Sequence, residues 1–191
     1  MTRDAGSGGE TFAFDGFASV TDPGDGSKAY EMWDAYGPYY EIIARGAFLE
    51  TLSREPDVPL VISHDQERRL ARTGNKNSPL YLTEVIDSVN GDTGLKVYAP
   101  TIPSDLGDAV QIAQRINLGL ISEMSFAFAI LSGRWSADWM TYTVSAVDIH
   151  RGDVSVVGFG ANPWTSATMR GAPDAGTADR QRLRAMMRDV I

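Results

Sequence analysis

A mainly β fold with a few helices, α+β in class, either a closed or partly closed β-barrel or a closed sandwich, is what this sequence predicts. Three observations carry that expectation. At least six short segments alternate apolar with polar residues or are rich in β-branched ones, with Gly, Asp, Asn or Pro between them. Only one internal segment has a strong helical period, too few helices for a doubly wound sheet. The 191 residues, 43% of them hydrophobic, suffice for one domain with a core and an appended tail.

The first element is "TFAFDGFASV", Thr11 to Val20, a strand whose alternation slips at Asp15-Gly16 as at a bulge. A Gly- and Asp-rich loop follows. "YYEIIARGAFLETLSRE" begins as a strand and passes through Arg45-Gly46 into a short helix with Phe48, Leu49 and Leu52 on one side, closed by Pro56. "VPLVISHDQ" is a short apolar strand that stops at Ser63-His64-Asp65, and "PLYLTEVIDSVNGDTGLKVYAP" reads as two strands joined through Asn90-Gly91-Asp92. In the second of these, Leu95, Val97 and Ala99 alternate with Lys96 and Tyr98.

"SDLGDAVQIAQRINLG" is the strong helix. Ser104 stands as its N-cap, Asp105 and Asp108 in the first turn, and Leu106, Ala109, Val110, Ala113 and Ile116 on its apolar side, with Asn117 or Gly119 ending it. "LISEMSFAFAI" then reads as a strand with Met124, Phe126, Phe128 and Ile130 inward and a small face of Ser125, Ala127 and Ala129. "MTYTVSAVDI" and "GDVSVVGF" read as two further strands separated by a turn at Arg151-Gly152. From Met169 the composition shifts to a linker and a candidate amphipathic helix with Leu183, Met186, Met187 and Val190 at helical spacing.

Charge and composition exclude several functions. With 17 Lys and Arg against 25 Asp and Glu, the formal net charge is −8, which disfavours a phosphate-binding surface and makes nucleic acid a poor partner. The absence of cysteine removes disulfides, thiolate metal sites and a thiol nucleophile. No apolar run reaches the roughly 18 residues of a membrane span, and "MTRDAGSGGE" lacks a secretory hydrophobic segment. The expectation is an intracellular protein with no membrane partner and no cofactor.

The chain has two histidines, His64 and His150. A serine hydroxyl becomes nucleophilic when an imidazole accepts its proton, and the imidazole works best when a third group fixes its tautomer. Ser125, His64 and an acid would suffice, since triads assemble in space and in several chain orders. Taken by themselves, the same residues read as easily otherwise: Ser125 as a packing residue among alanines, His64 as a loop histidine bonded near Asp65. A metal-dependent hydrolase using His64 and Asp65 is poorly supported, because two isolated histidines fall short of usual zinc spacing.

"GAFLETL", "VPLVISHD", "TGLKVYA", "GLISEMSFAF" and "GDVSVVGFGANP", in that order between about Phe12 and Ala167, together resemble the prohead proteases of tailed bacteriophages. These capsid-maturation serine peptidases are distantly similar to herpesvirus assemblins. The resemblance implies an assemblin-type barrel with surrounding helices, spanning residues 11–168 as the protease domain, after a flexible N-terminus at 1–10 and before a tail at 169–191. Carried onto this sequence, it implies His64 as the base, Ser125 as the nucleophile on a strand whose small side takes the substrate backbone, and Asp153 as the third member. In assemblins that member is a second histidine, so His150 is the rival.

Asp153 shares a strand face with Ser155 and Val157, which suits it for rigid support, whereas His150 precedes the Arg151-Gly152 turn. Backbone amides between Gly158 and Asn162 are candidate oxyanion donors, with Arg151 as a further contributor. Ala127 stands where many relatives have glycine, and Asn162 precedes Pro163 where they have alanine after proline. The resemblance also implies a substrate in the scaffold or in a scaffold-like region of the major capsid protein, a homo-oligomer, and action inside the assembling procapsid in the bacterial cytoplasm. The tail would be a docking helix or a site of self-cleavage. The opposing reading is a catalytically inactive barrel that binds capsid or scaffold.

Overall fold

The structure is a computed structural model that describes residues 10–88 and 93–171. The Asn90-Gly91-Asp92 turn, the first nine residues and the tail helix lie outside the described residues. Ten strands and two helices follow in the order β1 (Thr11–Val20), β2 (Tyr30–Asp34), β3 (Gly37–Ile43), α1 (Leu49–Ser53), β4 (Pro59–Ile62), β5 (Asp65–Arg72), β6 (Tyr81–Val85), β7 (Gly94–Pro103), α2 (Gly107–Asn117), β8 (Glu123–Trp135), β9 (Thr141–Val157) and β10 (Ser166–Gly171).

The chain is mainly β with few helices, but the expected barrel closure is not found. The strands form a four-stranded sheet in the order β10-β1-β7-β6 and a six-stranded sheet in which β2-β3-β9-β4-β5 run side by side and β8 pairs with β9. Among the described residues, neither β6 nor β10, the edges of the first sheet, has a ladder partner in the second. Both sheets contribute to one hydrophobic core, with Phe14, Leu95 and Val97 from the first and Leu60, Ile62, Met124 and Val154 from the second.

β9 organises the second sheet. Along one side β8 pairs with it antiparallel from Glu123↔Val157 to Trp135↔Tyr142. Along the other, β3 runs parallel to its beginning and β4 parallel to its end, so the chain from β3 through α1 to β4 bridges a gap on one edge. Phe48, fully buried just before α1, packs edge-to-face on Phe126 of β8 with ring centroids 5.4 Å apart, and Phe126 stacks on Phe128 at 4.2 Å. Such pairs contribute roughly 0.5–1.5 kcal/mol beyond their burial, and they fix β8 against the core.

Several local expectations are corrected. Ser104 does not cap α2: the N-cap is Leu106, with no side-chain cap bond, although Gly119 does end the helix at φ +70°. β1 shifts register at Phe12/Phe14 and Phe17/Ser19 and not at Asp15-Gly16. Gly16 instead permits close approach, since a Cβ there would lie 2.3 Å from the Ser166 carbonyl oxygen. The strands read as separate on either side of Arg151-Gly152 are one bulged strand, β9. β2, which falls in the stretch read as a Gly- and Asp-rich loop, and β5, most of which the pattern assigns to no element, are strands, and Ile130 is 44% exposed where the alternation predicts an inward side chain. β10 runs to Gly171, with Met169 buried opposite Phe14, so the predicted boundary at 168 falls inside a strand.

The loop entering α1 depends on a buried acid. Glu84 of β6 accepts the Gly46 amide at 2.6 Å and the Phe48 amide at 3.0 Å, while burial pushes its carboxyl above the usual range despite those bonds. Glu84→Ala strands both amides and is expected to cost about 2–4 kcal/mol, read from the shift in urea midpoint at unchanged m-value. Glu84→Gln keeps one acceptor and is expected to cost less.

Candidate active site

The β4–β5 hairpin places His64. Ile62 pairs with Asp65, leaving Ser63-His64 as a two-residue loop, and both have positive φ, +53° and +57°. That is the backbone of a type I′ turn, for which Asn-Gly is the favoured filling. Holding two other side-chain-bearing residues there costs of order 1–3 kcal/mol each, and such strain persists where surrounding bonds over-determine it. Here the Ser63 amide donates to the Val156 carbonyl at 2.9 Å and the His64 amide to Ser155 Oγ at 2.8 Å. The His64 ring adds a third tie, Nδ1 to Asp153 Oδ1 at 2.7 Å.

Asp153 is held from both sides. Its side chain is 4% exposed, against 40% for that of His64. Its second oxygen accepts from Gln66 Nε2 at 2.9 Å. An ionised carboxylate only accepts, so against it Nδ1 is the donor, and a neutral imidazole held this way has its lone pair on Nε2. That is the tautomer a general base requires.

Ser125 is set by sheet register beside one of the residues that hold His64. It stands directly across from Ser155, and Ala127 directly across from Asp153. Cross-strand partners have Cα atoms about 4.5–5.5 Å apart and side chains on the same face. Both residues that hold His64 therefore lie on the face of the sheet that carries the small side of β8. Ser125 is half-buried, and no hydrogen bond joins it to His64 among the described residues. Bonds between nucleophile and base often tighten only when substrate binds.

A bulge in β9 sets this register. Ala127 pairs with Asp153 and Ala129 with Asp148, so residues 149–152 of β9 stand opposite Phe128 alone. Arg151 takes φ +62° within the bulge. At Gly152 a Cβ would lie 1.9 Å from the Ala127 carbonyl oxygen, so only glycine lets the strands close up again just before Asp153. His150 is directed elsewhere: it is exposed, and its Nδ1 accepts the Asp57 amide at 3.1 Å.

The segment after β9 seals one stretch of the β8 edge. Thr165 Oγ1 accepts the Met124 amide at 3.0 Å and donates to the Met124 carbonyl at 2.9 Å. The Gly160 amide donates to Glu123 at 2.7 Å, which removes it from the candidate oxyanion donors, and the Asn162 side chain is tied to the Val20 carbonyl. Ala161 and Asn162 border the same cavity as Ser125. Beyond Met124 the outer edge of β8 has no strand partner among the described residues.

Sequence reasoning missed two groups at this site, Gln66 and Ser155. Ser155 could have been found, since it shares the Asp153 face; Gln66 gives no signal, because its partner lies 87 positions away. No cluster of three His, Cys, Asp or Glu residues able to hold a metal ion occurs among the described residues, and none of their helices is long and apolar enough to cross a membrane.

No curated protein matches the sequence. A family model described as caudovirus prohead serine protease matches residues 3–175, which takes in both sheets and every residue of the site just described. The chain therefore belongs to the caudovirus prohead serine protease family.

Proposed function

We propose that the chain is a serine endopeptidase of the assembling procapsid, cutting through an acyl-enzyme with Ser125 as nucleophile, His64 as base and Asp153 as its support. The observation that carries this reading is the bond between His64 Nδ1 and buried Asp153, which lies two residues along β9 from Ser155, the residue directly across the ladder from Ser125. His64 Nε2 takes the hydroxyl proton as Ser125 Oγ attacks the peptide carbonyl carbon. The imidazolium then gives that proton to the leaving amine as the C–N bond breaks, and water releases the acyl group by the same route. The unpaired edge of β8 suits an extended peptide laid alongside as an added strand.

The substrates that fit the family are the scaffold and a scaffold-like amino-terminal region of the major capsid protein, within a procapsid in the host cytoplasm. Self-cleavage of the tail and a concentration-dependent homo-oligomer belong to the same reading. Co-expression with the neighbouring capsid protein, followed by intact-mass measurement of the products, tests it. Cleavage by the native chain, none by Ser125→Ala, and fluorophosphonate labelling confined to Ser125 are expected. Equal fragments from both chains reject the nucleophile; capsid protein bound but uncut by either favours an assembly factor.

A further inference from the structure

Glu41 is a buried carboxylate that the chemistry above does not use. It is 4% exposed, sits on β3, and accepts a hydrogen bond from the equally buried Tyr30 hydroxyl at 2.5 Å through Oε1. Its Oε2 has no hydrogen-bond partner among the described residues and no cation pairs with it, and unlike the fully buried Ser19 Oγ, this oxygen keeps some contact with solvent. Burial pushes the Glu41 carboxyl above the usual range, against the opposing effect of the Tyr30 bond. A desolvated carboxylate without a counter-charge costs free energy that an apolar residue would avoid. Glu84, the comparable acid in β6, has two backbone amides to satisfy; Glu41 satisfies one tyrosine.

The surroundings indicate what would complete it. Glu41 lines a cavity of about 290 Å³ that also borders Ser125, with Met32, Tyr39, Phe128 and Ile130 among its walls. Apolar and aromatic walls with one buried acid match an alkyl stem ending in a cation. A net charge of −8 attracts basic segments of a partner before contact.

Resting on the peptidase reading, we propose that this cavity is a specificity pocket for a basic side chain, lysine or arginine, close to the scissile bond, with Glu41 as its counter-charge. Tyr30 positions the carboxylate, and the ammonium or guanidinium completes the pairing that Oε2 lacks. A substrate with an acidic side chain at the same position meets a like charge in a desolvated site and is rejected.

The test uses the full chain and a peptide library made by cleavage after glutamate, with cut positions mapped by mass spectrometry. Lysine and arginine are expected to be enriched at one position within two residues of the cut. In matched quenched peptides, the kcat/KM ratio of lysine to norleucine there is expected to be about tenfold or more, falling toward unity in Glu41→Gln. Should that variant fail to fold, the native chain gives the answer alone: n-butylammonium competes with the lysine peptide and n-butanol at the same concentration does not. Enrichment of apolar or acidic residues, a ratio unmoved by Glu41→Gln, or equal inhibition by amine and alcohol overturns the assignment and leaves the peptidase intact. Absence of any Ser125-dependent cut overturns the peptidase reading itself, and the pocket with it.

Discussion

Ser125→Ala, His64→Asn and the double variant are expected to share one residual rate, about 10⁶-fold below the native kcat, and not to multiply. The reason is that hydroxyl and imidazole act as one unit: without the base the alcohol does not attack, and without the alcohol the base has nothing to deprotonate. Asparagine is the informative replacement for His64 because the residue sits at φ +57° in the β4–β5 turn. Asparagine tolerates that conformation far better than alanine, so lost activity is separated from a damaged hairpin. Its amide can still donate to Asp153 but cannot take up a proton. Single-turnover rates on a defined peptide, with thermal melting as the control for folding, check the expectation. A double variant slower than either single one by the product of their effects would mean that the two side chains act independently.

Strand periodicity makes the site's scaffold readable. In "EMSFAFAI" the alternation separates a bulky face from a small one, and Met124 and Phe126 are buried as that alternation requires. The apolar run before His64 likewise ends where β4 ends. β5 is illegible because "DQERRLAR" buries only Leu70 and Ala71, so its strand state comes from pairing with β4 and not from its own pattern. The bulge in β9 reads as a turn for a related reason. Arg151 and Gly152 do break the local alternation, but the ladder to β8 resumes at Asp153 and carries the strand through. Ser104 suits a cap by residue type, yet the backbone reaches helical geometry only three residues later, at Gly107.

Polar partners are the least legible part. Gln66 and Ser155 derive their roles from groups 87 and 91 positions away, for which a single chain gives no pattern, and Glu41 meets Tyr30 only through the register of the β2–β3 hairpin, whose first strand the sequence does not reveal. The resemblance to prohead proteases supplies Asp153, and sheet register is what gives it physical meaning. It lies across from Ala127, two residues along from the position across from Ser125, at the distance from which it can hold the imidazole. Closure is an expectation that strand number and the family resemblance share, yet composition and periodicity do not distinguish a closed barrel from two sheets sharing a core.

Asp153→Asn is expected to lower kcat by about 10⁴-fold while leaving the fold in place. The carboxylate accepts two bonds, from His64 Nδ1 and from Gln66 Nε2; an amide offers one oxygen and one NH₂. With Gln66 presenting its own NH₂, the oxygen of the introduced amide turns to Gln66 and its NH₂ faces His64. The imidazole must then accept at Nδ1 and carry its proton on Nε2, the wrong tautomer for a base. Adding Gln66→Glu supplies an acceptor for the introduced NH₂, which returns the amide oxygen to His64 and restores the productive tautomer without restoring the charge. A regain of about tenfold in kcat is therefore expected in the double variant, whereas Gln66→Glu alone sets two carboxylates against each other and lowers activity. His150→Ala, which removes only an acceptor for the Asp57 amide, is expected to stay within about threefold of native kcat. Loss of activity in His150→Ala together with near-native rates in Asp153→Asn would transfer the supporting role to the second histidine.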